Sequence, residues 1–131
     1  MKISVTIVDG SFSIHRLASD AMIPDDVLQE TFFSLLRSTD ELSLVCRSSL
    51  SVEADRTSAG WACLQVVGPL DFGLTGFIAS ISKAVAAGAL AVFVVSGLST
   101  DYVLVREATL DSAITSLQAA GINCTNDRRG H

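Results

Sequence analysis

This sequence lacks the clustered cysteines and histidines from which metal sites and catalytic pairs are built. Its three cysteines, Cys46, Cys63 and Cys124, are far apart and form no CxxC pair, so neither a zinc site nor a redox motif is indicated. Each lies in or beside an apolar run, which favours a small buried side chain in a reducing cytosol. His15 and His131 have no catalytic neighbour in the sequence. We therefore expect no enzyme activity, no bound metal and no cofactor.

The sequence also lacks a surplus of positive charge and a long apolar run. It has 9 lysines and arginines against 14 acidic residues, so no basic face is available for nucleic acid. The most apolar run, residues 84–95, is shorter than the roughly 20 residues that span a bilayer. The amino terminus is interrupted by Asp9 and does not resemble a signal peptide. These features predict a cytoplasmic protein that binds neither nucleic acid nor membrane.

The sequence is rich in apolar residues. Of its 131 residues, 49% are apolar and 18% are charged. This composition is typical of a globular chain with one domain, or two small ones. In the first half, alternating residues predict strands over 2–8 and 11–17, joined by a hairpin at Asp9-Gly10. A short helix is predicted from Pro24, and strands over 31–37 and 42–48. Residues 49–60 are small and polar and form a candidate linker.

The second half is more regular and alternates strand-like and helix-like patterns. Leu74, Ile78, Ile81 and Val85 lie on one face of a predicted helix, and Thr109 is a candidate cap for a later one. The order strand–helix–strand–strand–helix–strand is predicted over 61–67, 74–87, 91–96, 102–106, 109–121 and 122–125. This order is the split βαβ, or ferredoxin-like, α+β plan with an antiparallel sheet.

Residues 68–76, with the sequence GPLDFGLTG, are the first candidate for a ligand site. Three glycines and a proline let the backbone turn sharply between a strand and a helix, so a ligand can approach it closely. The free N–H groups and the dipole at the start of that helix favour an anion such as a carboxylate. The alternative is that these residues serve only the turn, with Asp71 or Thr75 as a capping residue.

The loop over residues 97–101 is the second candidate, because it offers the Asp101 carboxylate. An α-amino acid needs donors for its carboxylate and an acceptor for its ammonium or cationic side chain. Asp101 supplies such an acceptor. The alternative is that this aspartate accepts hydrogen bonds from nearby backbone N–H groups.

Residues 61–122 carry a resemblance to a known family. Trp61 opens a strand, GPLDFGLTG follows it, a later strand ends in serine, and a loop then ends in Thr-Asp-Tyr before Leu-Val. This run resembles the ACT-domain proteins of a small bacterial family distantly related to the aspartokinase regulatory region, and residues 39–46 match its N-terminal half. The resemblance implies a degenerate N-terminal ACT-like unit over 1–57 packed with an ACT domain over 58–131.

The resemblance also implies a function. ACT domains commonly bind amino acids at interfaces between units and regulate an attached or partner enzyme, so a homodimer that binds an amino acid is expected, with cationic amino acids among the candidates. Asp101 matches a site aspartate of a remote relative, the animal cytosolic arginine sensor, whereas Leu74 stands where that relative has an acidic contact. The implied ligand-binding residues are Leu70, Asp71, Phe72, Gly73, Leu74, Thr75, Gly76, Gly97, Leu98 and Asp101. The alternative is an interaction module with a decayed site.

Overall fold

The computed structural model describes residues 4–67, 82–83, 86, 92–97 and 100–126. The chain divides into two compact units, Gly10–Trp61 (the N-terminal unit) and Met1–Asp9 with Ala62–His131 (the C-terminal unit). Two long strands, β1 (Ser4–Leu17) and β4 (Arg56–Val67), contribute residues to both units. The chain is therefore divided in the middle of two strands and not at a linker.

The N-terminal unit is built on β3 (Leu42–Arg47), which lies between β1 and β2 (Ser34–Arg37) and is antiparallel to both. A short helix, α1 (Asp25–Leu28), follows Pro24 and has two acidic residues in its first turn, where the helix dipole favours them. Its Val27 packs into the apolar core of this unit. That core consists of Leu17, Val27, Leu42, Leu44 and Cys46.

The predicted hairpin at Asp9-Gly10 is wrong, since β1 runs without interruption from Ser4 to Leu17. Gly10 has a φ of 105°, which glycine adopts at no steric cost inside a strand as well as in a turn. A Cβ at Gly10 would meet the guanidinium of Arg47. That guanidinium also lies over the Phe12 ring, 5.7 Å from its centroid, and pairs with Glu30 at 3.1 Å. The glycine therefore leaves room for a side chain of β3.

The C-terminal unit contains β5 (Val92–Ser96), β6 (Asp101–Arg106), a 3-10 turn (Glu107–Thr109), α2 (Leu110–Ala119) and β7 (Asn123–Asn126). Strand β6 lies between β4 and β5 and is antiparallel to β5. Strand β7 pairs in parallel with the first residues of β1. The core lies between these strands and α2. Its members are Val5, Ile7, Ala62, Leu64, Val66, Val103, Val105, Ala113, Leu117 and Ile122.

The carboxyl end of α2 is closed by backbone hydrogen bonds. The Ile122 N–H donates to the Leu117 carbonyl at 2.9 Å, and the Gly121 N–H donates to the Gln118 carbonyl at 3.0 Å. With a φ of 87° at Gly121, this is a Schellman motif. At the other end, Thr109 does not cap the helix as expected. Its hydroxyl donates to the Arg106 carbonyl at 3.2 Å.

The remaining predicted elements agree with the structure to different degrees. The candidate linker over 49–60 is shorter than expected, because β4 begins at Arg56. Of the predicted helix over 74–87, the structure describes Ser82, Lys83 and Ala86, which are helical and exposed, and the rest lies outside the described residues. Within the described part of the chain, no helix is long and apolar enough to cross a membrane.

Candidate functional site

The predicted ligand-binding residues lie in two segments, and the structure describes one of them in part. Gly97 and Asp101 are described, whereas Leu98 and the whole of Leu70–Gly76 lie outside the described residues. Gly97 follows β5 and Asp101 begins β6, opposite Ser96 in the antiparallel register. The Gly97 N–H donates to the Thr100 carbonyl at 2.7 Å. This hydrogen bond closes the turn and fixes where β6 starts.

Asp101 is completely buried, with 0% of its surface exposed. Side chains alternate along a strand, so it shares a face of β6 with Val103 and Val105. Those two valines pack in one core cluster with Ala113 and Leu117 of α2. Among the described residues, neither carboxylate oxygen of Asp101 has a hydrogen-bond partner. A buried carboxylate without partners is costly, which makes Asp101 the candidate ligand-binding side chain of this turn.

Thr100 is a second buried polar group in the same turn, and the sequence reasoning did not include it. Its Oγ1 atom is buried and has no hydrogen-bond partner in the described part of the chain. A Cβ built on Gly97 would lie 3.4 Å from Thr100 Cγ2 and 3.5 Å from the Thr100 carbonyl oxygen. The methyl group of Thr100 therefore lies beside Gly97. Thr100 belongs to the Thr-Asp-Tyr motif that carries the family resemblance, although it is not among the expected ligand-binding residues.

The N-terminal unit also buries a polar side chain on a strand, His15 of β1. Its Nδ1 atom is 2.9 Å from the Thr57 hydroxyl, whereas Nε2 has no partner among the residues described. Burial lowers the pKa of His15 from its ordinary value of 6.5, so the ring is neutral at physiological pH. Ser13, two residues earlier, is hydrogen-bonded to Ser48 between their hydroxyl oxygens at 2.6 Å.

The cysteine thiols are poor nucleophiles in this fold. Burial, and then the charges of Glu30 and Asp26, raise the pKa of Cys46 to about 11. Burial alone raises the pKa of Cys63 to about 12 and also raises that of Cys124. All three thiols therefore stay protonated at neutral pH, and the thiolate is the reactive form.

Metal binding has no support in the described residues, because no group of three or more histidine, cysteine or acidic side chains comes together there. The N-terminal unit has an open groove of about 340 Å³. Its two polar side chains, Ser51 and Glu53, are exposed to solvent. The groove is lined by Leu17, Met22, Pro24, Ser51, Val52 and Glu53. It contains no buried polar group that would fix a ligand, in contrast to the turn at Thr100 and Asp101.

Comparison with protein-family models gives two matches. Residues 56–119 match an ACT domain, and residues 10–50 match a model described as an N-terminal domain. The two matched segments together cover most of the chain. None of the curated proteins matches the chain at a significant level.

Solved structures provide the full-length comparison. A crystallised protein from Agrobacterium tumefaciens is 32% identical, with a TM-score of 0.89 over 100% of this chain and 98% of that one. The ligand-free regulatory subunit of aspartate kinase from Thermus thermophilus is 12% identical, with a TM-score of 0.62 over 89% and 97% of the two chains. A protein of unknown function from Vibrio cholerae, described as a possible transport protein, is 14% identical, with a TM-score of 0.66 over 91% and 90%.

The fold and these matches define the class of protein. The chain belongs to the family of small ACT-domain proteins, and its mixed α+β architecture is the ACT-like fold also found in aspartate kinase regulatory domains. The predicted fold class and the predicted resemblance are both confirmed.

Proposed function

We propose that this protein is a non-enzymatic regulatory module that binds an amino acid at an interface between ACT units. The observation that carries the proposal is the complete burial of Asp101 with both carboxylate oxygens unpartnered among the described residues. A folded protein seldom retains such a group without a use, because its burial opposes folding. A cationic group on a ligand would supply the missing partner.

In the proposed site, the two ends of an amino acid are held by opposite charges. Asp101 accepts hydrogen bonds from the positive group of the ligand, and Gly97 and Leu98 form the turn beside it. The backbone N–H groups of Leu70, Asp71, Phe72, Gly73, Leu74, Thr75 and Gly76 hold the carboxylate, with the dipole of the following helix behind them. The first part of this arrangement is supported by the burial of Asp101, and the second by the sequence of the loop.

Amino-acid binding is tested by calorimetric titration of the purified protein with the common amino acids. We expect at least one of them to bind, and we expect Asp101→Asn to weaken that binding by tenfold or more, because it removes the charge and keeps the shape. Asp111→Asn is the matched control, since Asp111 is an exposed acid on α2 of the same unit. The proposal fails if no amino acid binds at millimolar concentration or if the two variants bind equally well.

We further propose that the protein is a cytoplasmic homodimer and that the ligand site includes the contact between ACT units. Sedimentation velocity with and without the bound amino acid tests this assembly. A dimer that is stabilised by the ligand supports the proposal, because a ligand shared by two subunits must favour their association. A monomer whose sedimentation is unchanged at saturating ligand contradicts it.

An interaction module is the second candidate, and the exposed strand β2 favours it. Leu35 and Leu36 of β2 are 41% and 69% exposed, and β2 pairs on one side with β3 at the end of the strand order. An edge strand with apolar side chains is a suitable surface for a partner protein. This candidate predicts complexes that Leu36→Lys abolishes and that form equally with and without amino acids. Complexes that require an amino acid contradict it.

A further inference from the structure

We propose that Ser96 forms the open side of the candidate site at Asp101, and that its small side chain admits a primary ammonium or guanidinium group of the ligand to the buried carboxylate. This inference rests on the proposed function, since it names the residue that controls access to the same site. Ser96 is the last residue of β5 and is not among the expected ligand-binding residues. Its role is to determine which ligands reach Asp101, and not to hold the cation itself.

The register of the hairpin between β5 and β6 places Ser96 directly opposite Asp101. The Gly97 N–H donates to the Thr100 carbonyl at 2.7 Å, so those two residues form a hydrogen-bonded pair. Hydrogen-bonded and non-hydrogen-bonded pairs alternate along an antiparallel ladder, and the next pair, Ser96 with Asp101, is therefore non-hydrogen-bonded. In such a pair the Cα atoms are about 4.5 Å apart and the two side chains project from the same face of the sheet. The Ser96 side chain is thus the cross-strand neighbour of the Asp101 side chain.

Burial changes across this pair of strands. On β6, the residues of this face are completely buried, and they are Asp101, Val103 and Val105. On β5, the residues directly opposite them are exposed, and they are Ser96, Val94 and Val92. The border between the covered and the open part of this face therefore runs between the two strands. Ser96 lies on the open side of that border, and Asp101 lies on the covered side.

The exposed row of β5 is the side from which a ligand group approaches the Asp101 carboxylate. A group that passes over this row meets Ser96 immediately before it reaches Asp101. Neither carboxylate oxygen has a hydrogen-bond partner within the described ranges, so the Ser96 hydroxyl is not bonded to them. A primary ammonium offers three N–H donors and a guanidinium offers five, and hydrogen bonds from such cations to a carboxylate are strong. Serine obstructs this approach less than a residue with a longer side chain does.

The first test changes the size of the side chain at position 96 and measures the binding of the common amino acids by calorimetry. Ser96→Leu should weaken the binding that the parent shows by about tenfold or more, because a branched side chain then stands in front of the carboxylate and the cation loses its hydrogen bonds. Ser96→Ala, which keeps the side chain small, should bind within about threefold of the parent. Val92→Leu is the matched control and should bind like the parent, since Val92 lies on the same exposed row about 13 Å from Ser96 along the strand.

The cation has two sources within an amino acid, the α-ammonium and a basic side chain. Nα-acetylation of the bound amino acid separates them, because it removes the α-ammonium and leaves a basic side chain intact. If the side chain is held, L-lysine or L-arginine binds, and its acetylated form still binds to the parent. If the α-ammonium is held, the acetylated form does not bind. Either result supports the inference when Ser96→Leu weakens the binding of the unmodified amino acid.

The second test supplies the cation from the chain itself. A lysine at position 96 carries an ammonium on the residue opposite Asp101, where a cross-strand pair of opposite charges is favourable. Without ligand, Ser96→Lys should therefore unfold about 3 °C or more above Ser96→Gln, its neutral control of similar length. This difference should disappear when both variants also contain Asp101→Asn. Ser96→Lys should bind the amino acid at least about tenfold more weakly than the parent, because its own ammonium occupies the carboxylate.

The outcomes distinguish this inference from the proposed function. If an amino acid binds the parent and Asp101→Asn weakens that binding, but Ser96→Leu and Ser96→Lys bind like the parent, the inference is overturned and the amino-acid site stands. Equal effects of Ser96→Leu and Val92→Leu on binding overturn it in the same way. If Ser96→Leu does not fold, the comparison of Ser96→Lys with Ser96→Gln decides the matter. If no amino acid binds the parent at all, the proposed function fails and the inference fails with it.

Discussion

Each unit of this protein buries a titratable side chain on a strand, and the two side chains differ in their hydrogen-bond partners. In the N-terminal unit, His15 has a neighbour for one of its ring nitrogens in the Thr57 hydroxyl at 2.9 Å. In the C-terminal unit, both oxygens of Asp101 are buried without a partner in the residues that the structure describes. A neutral imidazole with one hydrogen bond is inexpensive to bury, whereas a carboxylate with none is expensive. The contrast supports the proposal of a ligand site at Asp101 in the C-terminal unit.

The surroundings of the two residues support the same distinction. In the N-terminal unit, polar side chains pair with one another. Arg47 forms an ion pair with Glu30, and Ser13 is hydrogen-bonded to Ser48. In the C-terminal unit, Asp101 lies on the same face of β6 as Val103 and Val105, which belong to the apolar core. An apolar environment strengthens the interaction of a buried carboxylate with a cation. Matched substitutions in the two units test this comparison through the free energy of unfolding.

The largest expected effect comes from a matched truncation in the two cores. Leu44 in the N-terminal unit and Leu64 in the C-terminal unit are both 0% exposed. We expect Leu44→Ala and Leu64→Ala each to lower the free energy of unfolding by about 2–5 kcal/mol, because each leaves a cavity. Urea unfolding measures both.

The exposed Leu36 of β2 provides the control for these truncations. Leu36→Ala should change the free energy of unfolding by less than about 0.5 kcal/mol, as surface substitutions usually do. A large loss for one core leucine and none for the other would mean that one unit contributes little to the measured transition. That result would remove the basis for comparing buried residues between the units.

Glycine 10 offers the next largest effect, with Gly121 as its counterpart in the C-terminal unit. Both have a positive φ, 105° and 87°. We expect Gly10→Ala to lower the free energy of unfolding by about 1–3 kcal/mol, from backbone strain and from displacement of Arg47. Gly121→Ala should cost less, because nothing lies within 4 Å of the added Cβ. Equal losses in thermal or urea unfolding would show that the Arg47 contact contributes nothing.

Part of the fold follows from local sequence patterns and part does not. The predictions of β5, β6 and β7 agree with the structure within one residue, and Gly121 ends α2 as predicted, because alternation and a glycine C-cap are local signals. Strand β4 begins five residues earlier than predicted, at Arg56 instead of Trp61. The hairpin at Asp9-Gly10 was wrong. An Asp-Gly pair between two alternating runs is the same signal whether the chain reverses or passes a neighbouring side chain. In the folded chain, Gly10 lies beside Arg47 of β3, which is far away in the sequence.

The candidate site shows the same limit. Asp101 could be singled out because a carboxylate in a short loop carries charge, and because the family resemblance includes it. Its complete burial depends on the register between β5 and β6 and on α2 covering the face of Val103 and Val105, and no short stretch of sequence encodes these features. Thr100 lies in the Thr-Asp-Tyr motif, but the burial of its hydroxyl without a partner among the described residues is visible only in the structure.

A pair of threonine substitutions sharpens the comparison between the units. Thr57→Val should lower the free energy of unfolding by about 1 kcal/mol, because it leaves His15 Nδ1 without its hydrogen bond. Thr100→Val, in the C-terminal unit, should cost nothing without ligand, because its hydroxyl has no partner among the described residues. Thermal unfolding of the two variants side by side measures the difference. A larger loss for Thr100→Val would mean that its hydroxyl is used within the folded chain.

The smallest expected effect is the contribution of His15 to the pH dependence of stability. Burial lowers the pKa of His15 in the folded protein below the value of 6.5 expected in the unfolded chain. As the pH falls through 6.5, the unfolded chain therefore takes up a proton before the folded one does, and the free energy of unfolding decreases. The decrease ends once the pH is below the folded pKa, so the stability due to neutral His15 is fully present only above about pH 6.5. Urea unfolding of the parent and of His15→Gln between about pH 8 and pH 5 should show a shallower decrease for the variant. If His15→Gln and the parent change in parallel over this range, the two states bind this proton equally, and the neutral, buried imidazole on which the comparison with Asp101 rests is disproved.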